Sequence, residues 1–404
     1  MSIFYIIFII LTAYFSFRYD GIEEYDSHKQ HRLWLMCGFM ICLTGFSYGL
    51  GADKFAYMEE FEQYPDNFSD IGDHIWLQFM LCGQMPLWTL VNMLAKSVFH
   101  SFYALQFMES AAINIAICYI VSKYTHRYFL FLLIYFFSLQ YFIFNVEIMR
   151  EAFALSLVLL GIHWWMNGKK WVLFVTLPIG LLFHVSAAIA ILFPFANFPI
   201  TKKTIIIALS VSFIIWLFSD ILLGKIVLAA LGGIGSFSEK IIYYSMQATT
   251  FFGFARAAIT YFIIPVFVMY TIMQNEPSED KKKCIQHIIS FTICLGVIAS
   301  SFAGLNRFFN YTRVFYLIFM SEFVYTLFRS KHHLILRAGA FAIWLFLIVL
   351  QYRVHYQTTN TYFYEFYYPY TCILHEDKDV YFREIAHSEG VAITVNDKNV
   401  RDIE

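Results

Sequence analysis

Arg150 stands where a cation is least expected. In Asn145-Val-Glu-Ile-Met-Arg-Glu-Ala-Phe-Ala it falls in the first turn of a long apolar segment, and the free N–H groups of a helix start favour an anion there and disfavour a cation. A phosphate would satisfy those N–H groups and the guanidinium together; the alternative is a local ion pair with Glu147 or Glu151. Arg307 and Arg313 bracket a short turn between two apolar segments, in Leu305-Asn-Arg-Phe-Phe-Asn-Tyr-Thr-Arg. They either hold an anion or carry their charges out to a membrane interface. Asp53, in Gly49-Leu-Gly-Ala-Asp-Lys-Phe-Ala-Tyr, follows an apolar segment and two glycines that permit a tight turn. Its carboxylate can accept a proton from a hydroxyl or orient it, and it can equally cap the next helix. His184, in Leu182-Phe-His-Val-Ser, has both a functional and a packing reading inside its apolar run. Asp377-Lys-Asp379 is the only Asp-x-Asp, in a tail too short to form a nucleotide-binding domain, and reads as a chance pairing.

The elements that position these residues belong to a membrane. Of 404 residues, 59% are hydrophobic and 14% charged, against roughly 25% charged in a soluble domain. The balance of 28 basic and 29 acidic residues lacks the basic excess of a nucleic-acid binder, so no nucleic-acid partner is expected. The seven cysteines form no CxxC and no metal-ligand spacing; they read as small hydrophobes, and no metal or cofactor is expected. Cys82 and Cys372 both fall on the predicted outer side, although nothing in their spacing demands a pair. The amino terminus enters an apolar run without a basic n-region or cleavage site, and reads as a retained span.

A spanning helix needs roughly 20 apolar residues. Ten segments qualify: 3–17, 33–50, 103–121, 128–145, 148–166, 204–223, 256–273, 285–303, 314–328 and 334–352. Segment 75–98 is interrupted by Gln78, Gln84, Pro86, Asn92 and Lys96 and reads as amphipathic, while 171–196 holds Pro178 and His184 and reads as a hairpin. Lys and Arg concentrate in short cytoplasmic loops. With the amino terminus outside and a turn near His184, every basic cluster falls on one side: Arg18, Lys29 and Arg32; Lys123 and Arg127; Lys169 and Lys170; Lys202 and Lys203; Lys281 to Lys283; Arg329, Lys331 and Arg337. The expectation is an all-α polytopic integral membrane protein with about 12 transmembrane helices and both termini outside. Residues 1–352 form one membrane domain, with outer loops at 51–100 and 224–255, and 353–404 form a polar and aromatic tail on the outer face. Lys54, Lys96, Arg150, Lys225, Lys240, Arg256, Arg307 and Arg313 are then the basic residues that the topology leaves unexplained.

The Gly51-x-Asp53-x-x-x-Tyr57 turn, the Arg150-Glu-Ala-Phe-Ala-Leu-Ser helix start, the Gly168-Lys-Lys loop, Leu-Phe-His184-Val-Ser-Ala and the Arg307 to Arg313 turn follow one another over most of the chain. In that order, with Tyr367-Tyr-Pro-Tyr near the end, they resemble the EpsG-like family of bacterial polysaccharide polymerases, similar in role to Wzy-type O-antigen polymerases. The family's basic residue before the Gly-x-Asp turn is absent here, where Phe46-Ser-Tyr-Gly-Leu stands. The resemblance implies glycosyl transfer on the outer face of the bacterial cytoplasmic membrane, joining oligosaccharide repeat units on undecaprenyl pyrophosphate. It implies Arg150, Arg307 and Arg313 as pyrophosphate ligands, and Asp53, Glu147 and His184 as candidates to orient or deprotonate the acceptor. Tyr57 and Tyr311 are candidates for sugar contact. Implied partners are the lipid-linked oligosaccharide, membrane lipid, and flippase and chain-length regulator proteins. An O-antigen-ligase-like transferase shares the donor chemistry, and a flippase or transporter for a lipid-linked glycan is the non-enzymatic alternative.

Overall fold

A computed structural model describes residues 3–68, 71–219, 250–329, 334–353, 355–356 and 361–374. Most of loop 224–255, the Asp-x-Asp at 377–379 and the rest of the tail lie outside the described residues. The chain is helical: α1 (Ile3–Tyr19), α2 (Ser27–Gly45), α3 (Lys54–Glu62), α4 (Ile71–Leu77), α5 (Pro86–Leu94), α6 (Phe102–Tyr124), α7 (Tyr128–Phe137), α8 (Gln140–Glu147), α9 (Met149–Met166), α10 (Trp171–Leu181), α11 (Lys202–Leu217), α12 (Phe251–Asn275), α13 (Glu279–Ser301), α14 (Asn310–Arg329) and α15 (Leu334–Tyr352). A two-stranded antiparallel ribbon, His355–Tyr356 with Thr361–Tyr362, follows α15.

Local sequence sets the helix ends. Asp26 accepts the N–H groups of His28 and Lys29 to cap α2, and Ser101, Thr201 and Ser278 cap α6, α11 and α13 through their hydroxyls, as short polar side chains do at N-caps. Pro86 starts α5, where its missing N–H costs nothing.

Among the described residues, α6, α12, α13 and α15 are long and apolar enough to cross a membrane, and α7 with α8 makes a fifth if the pair counts as one span. The expected twelve are not reached on that criterion, because α1, α10 and the 3-10 segment Val185–Phe195 are apolar but short. The expected single span 128–145 is broken: α7 and α8 meet at 83°, with Leu139 left-handed at φ 61°. Segment 171–196 divides as expected. After α10 the chain turns at His184, and Val185–Phe195 leads to Phe193, whose carbonyl meets the ring of His287 at 2.7 Å.

Several of the predicted cytoplasmic basic clusters share one end of the bundle. There Asp20 accepts the N–H groups of Phe129 (3.2 Å) and Leu130 (2.7 Å). Arg127 pairs with Glu23 at 2.9 Å and Glu322 at 3.3 Å, lies 3.7 Å over the Tyr325 ring, and leaves that ring's surroundings to Arg329 as well. Lys29 donates to the His126 carbonyl at 2.6 Å. Burial pushes the Asp20 carboxyl up to about 6.

Within the segment expected to be a polar and aromatic outer tail, residues 366–373 are built into the fold. The Gly51 N–H bonds the Phe366 carbonyl (2.9 Å), the Tyr48 N–H that of Thr371 (3.0 Å), and the Ile373 N–H that of Phe46 (2.9 Å). Tyr367 is fully buried and stacks on Phe142 with centroids 5.0 Å apart. Residues 366–373 thus pair with the α2–α3 connection through backbone groups that would otherwise be unsatisfied. Cys372 is a free thiol, not half of a disulfide.

Candidate active site

The other end of the bundle gathers the candidate residues in three adjoining groups. The first is the turn before α3. Glu147 ends α8, and its carboxylate accepts three hydrogen bonds: from the N–H of Ala52 (2.9 Å), the N–H of Asp53 (3.2 Å) and the hydroxyl of Tyr367 (2.6 Å). The turn requires Gly51: its φ is +96°, and a Cβ there would collide with Val146 Cγ1 and sit 3.1 Å from Glu147 Oε1. Asp53 takes the N-cap position of α3 yet makes no side-chain cap hydrogen bond, so its carboxylate is not used as the cap that the sequence allows. Glu147 is the clamp of this turn. It holds Asp53 by its backbone N–H.

Arg150 lies one turn further on. Its guanidinium donates to Gln84 Oε1 and lies 5.6 Å from the Tyr57 ring centroid. It forms no ion pair among the described residues, and its Nε is buried without a partner. The local ion pair that the sequence allowed does not form, because Glu147 is engaged with the Gly51 turn and Glu151 accepts from Asn310 at 3.1 Å. Glu60 accepts from Tyr64 (2.8 Å) and from the Trp88 indole (2.7 Å) beside this group. Burial raises the phenols of Tyr57 and Tyr64 well above their usual range, so both remain donors. Tyr57 is nearly buried; its hydroxyl bonds the Glu147 carbonyl at 3.3 Å and its ring packs against Trp88.

The second group is a hydrogen-bonded chain of three side chains. His184 caps the 3-10 segment by accepting the Ser186 N–H at its Nδ1 (3.3 Å), the Ser186 hydroxyl lies 2.6 Å from the same nitrogen, and the Tyr311 hydroxyl is 2.8 Å from Ser186 Oγ. An Nδ1 that accepts leaves the proton of the neutral ring on Nε2. Tyr311 is fully buried, with its hydroxyl on Ser186.

The third group surrounds a cavity of about 610 Å³ between α8, α12, α14 and α15, onto which Arg256, Arg307 and Arg313 all open. Arg313 lies 5.2 Å from the Phe309 ring and 5.5 Å from that of Tyr261, and its Nε is buried without a partner. Glu151 lies in the field of both Arg307 and Arg313. The structure therefore brings Arg307 and Arg313 together but turns Arg150 toward Gln84 and Tyr57 instead, with the Glu151–Asn310 contact between the two sets.

Sequence reasoning passed over Arg256 as a member of the site, together with Glu151, Gln84, Tyr367 and the pair Lys54–Glu109. Lys54 is fully buried, 3.4 Å from Met149 Sδ, and burial pulls its ammonium down to about 8 against the attraction of Glu109 and Glu147. Neither carboxylate oxygen of Glu109 has a hydrogen-bond partner. The available signal was a lone acid within the apolar segment 103–121.

A polytopic helical bundle with apolar helices of spanning length defines an integral membrane protein, here with buried ionisable groups and an arginine-lined cavity at one end. The chain belongs to the EpsG family, whose model matches residues 33–372, and this is a family of polysaccharide polymerase-like proteins. No curated protein and no solved structure matches the chain.

Proposed function

We propose that the protein is a membrane glycosyltransferase that polymerises oligosaccharide repeat units carried on undecaprenyl pyrophosphate, on the outer face of the bacterial cytoplasmic membrane. The observation that carries this reading is the opening of Arg256, Arg307 and Arg313 onto one cavity of about 610 Å³. In the reaction an acceptor hydroxyl oxygen bonds to the anomeric carbon of the donor sugar as the bond from that carbon to the pyrophosphate oxygen breaks. The electron pair leaves with the lipid pyrophosphate, and the hydroxyl proton passes to a base. The arginines neutralise the charge that develops on the leaving group, which is commonly the largest catalytic contribution. Arg150, outside that cavity, holds an anionic part of the second lipid-linked substrate. Asp53, held by its backbone on Glu147, orients the acceptor hydroxyl and accepts its proton; His184, whose Nδ1 is taken by Ser186, orients a substrate oxygen through its Nε2–H. A topology of about 12 spans with both termini outside places these groups on the outer face, where flippase and chain-length regulator proteins are the expected partners.

The test is reconstitution of the purified protein in liposomes with lipid-linked repeat units, with products resolved by gel. A ladder of chain lengths that disappears in Arg307→Ala and Arg313→Ala supports the proposal; an unchanged ladder in both overturns it. In cells, gene deletion that leaves single repeat units on lipid supports a polymerase. Unattached long chains would instead identify a ligase, and precursor retained on the cytoplasmic side a flippase.

A further inference from the structure

The cavity has a second set of lining residues that the arginines do not explain. Gln140, Gln351 and Trp344 line it as well, two neutral amides and an indole. Gln140 is 2% exposed; its Nε2 reaches only the Ser138 carbonyl, at 3.5 Å, and its side-chain carbonyl oxygen has no partner at all. A buried acceptor left unsatisfied costs on the order of 1–3 kcal/mol, so each such atom in a folded protein calls for an explanation. Arg313 Nε, on the same cavity, is an unsatisfied donor. The backbone that presents Gln140 is itself strained. Leu139, a buried non-glycine residue, is left-handed at φ 61°, and the helix axis turns by 83° at this point. Strain of this kind persists where the surroundings enforce it and concentrates at ligand sites.

We propose that this break is a sugar-reading element: the Gln140 side-chain carbonyl accepts a hydrogen bond from a hydroxyl or acetamido N–H of the sugar directly attached to the pyrophosphate, while the arginines hold the pyrophosphate itself. An orphan acceptor and an orphan donor on residues that line one cavity match a ligand that carries both donors and anionic acceptors, as a sugar diphosphate does. Trp344 offers the apolar face on which a pyranose ring packs, and the cavity volume falls within the range of small-ligand sites. Gln140 is thus a specificity-determining residue. This inference rests on the reading of the cavity as the donor site.

The experiment compares two probes on detergent-purified, monodisperse protein: undecaprenyl diphosphate without sugar, and the same lipid carrying the repeat unit. Gln140→Leu is expected to weaken binding of the sugar-bearing lipid about tenfold, the loss of one good hydrogen bond to a site built around it, and to leave the sugar-free lipid unchanged. Gln140→Asn, whose shorter amide retreats from the cavity while staying polar, is expected to give a smaller loss of the same selectivity and serves where the leucine variant does not accumulate. Equal affinities of variant and wild type for both probes, or an equal loss for both, overturns the role of Gln140. Arg313→Gln reports separately on the donor-site reading: it is expected to weaken both probes, and wild-type binding of both by that variant overturns the reading on which the inference rests.

Discussion

Glu147 and Tyr367, 220 residues apart in the chain, meet through a hydrogen bond of 2.6 Å from the phenol to the carboxylate. The same carboxylate fixes the two N–H groups that open the Asp53 turn, so the carboxy-terminal segment determines where a candidate catalytic group stands. Tyr367→Phe keeps the ring packed on Phe142 and leaves a buried carboxyl oxygen short of one hydrogen bond. It is expected to cost about 1–3 kcal/mol in unfolding measured in detergent and to slow chain extension. Truncation after Arg353 removes the whole segment and is expected to abolish extension; full activity of the truncated chain would exclude a role for the segment.

Arg150→Ala is expected to abolish chain extension with the protein still inserted and abundant, because the guanidinium has no carboxylate partner whose burial its loss would expose. Immunoblotting of membranes beside a glycan gel checks both halves. Glycan of normal length in that strain would exclude Arg150 as an anion ligand.

Gly51→Ala is expected to destabilise the turn, since the added methyl meets Val146 and Glu147 at a left-handed backbone angle. The angle alone costs about 1–3 kcal/mol for a residue with a side chain, and the collision adds to it. Activity should fall with stability. An alanine variant with wild-type melting and activity would show that the turn is not held as described.

Asp20 supplies a pH signature at the opposite end. Burial raises its carboxyl from 3.8 to about 6, so the folded chain binds a proton that the unfolded chain has already lost between those values. The stability this group contributes is full below pH 3.8 and is lost as pH rises through 6. The difference in melting temperature between wild type and Asp20→Asn should therefore change across about pH 4–6 and flatten above it; a difference independent of pH would refute the assignment.

Topology is open to direct measurement. A reporter fused after Lys283 should register as cytoplasmic and one after Arg353 as external. An external reading at Lys283 would reverse the sides and detach the arginine cavity from the outer face.

What the sequence made legible was whatever depends on local pattern. The helical apolar segments, the turn at His184 and the shared end of several basic clusters follow from periodicity and charge placement; of the expected spans, four or five reach spanning length among the described residues. The break at Leu139 was not legible: in 128–145 only Ser138, Gln140 and Asn145 are strongly polar and there is neither proline nor glycine, so nothing local demands a left-handed residue, which packing enforces. The role of Tyr367 was hidden for another reason. Its partner is 220 residues away, and an aromatic near the end of a membrane protein looks the same whether it lies in an interfacial belt or in the core. Arg150 and Arg313 were found as cations in the wrong place, but which way each guanidinium turns is a property of the assembled bundle.

Helix α15 has a single buried side chain, Trp344, and that side chain is part of the cavity wall. Among the described residues, the wall between the arginines and the outer flank of α15 is thus one helix thick. A ligand whose long chain stays dissolved among the lipid tails need not pass through water to bring its charged head to Arg313; it can approach edgewise, past α15. The surrounding lipid then holds part of the ligand during binding, so its composition and thickness belong among the variables that set the rate.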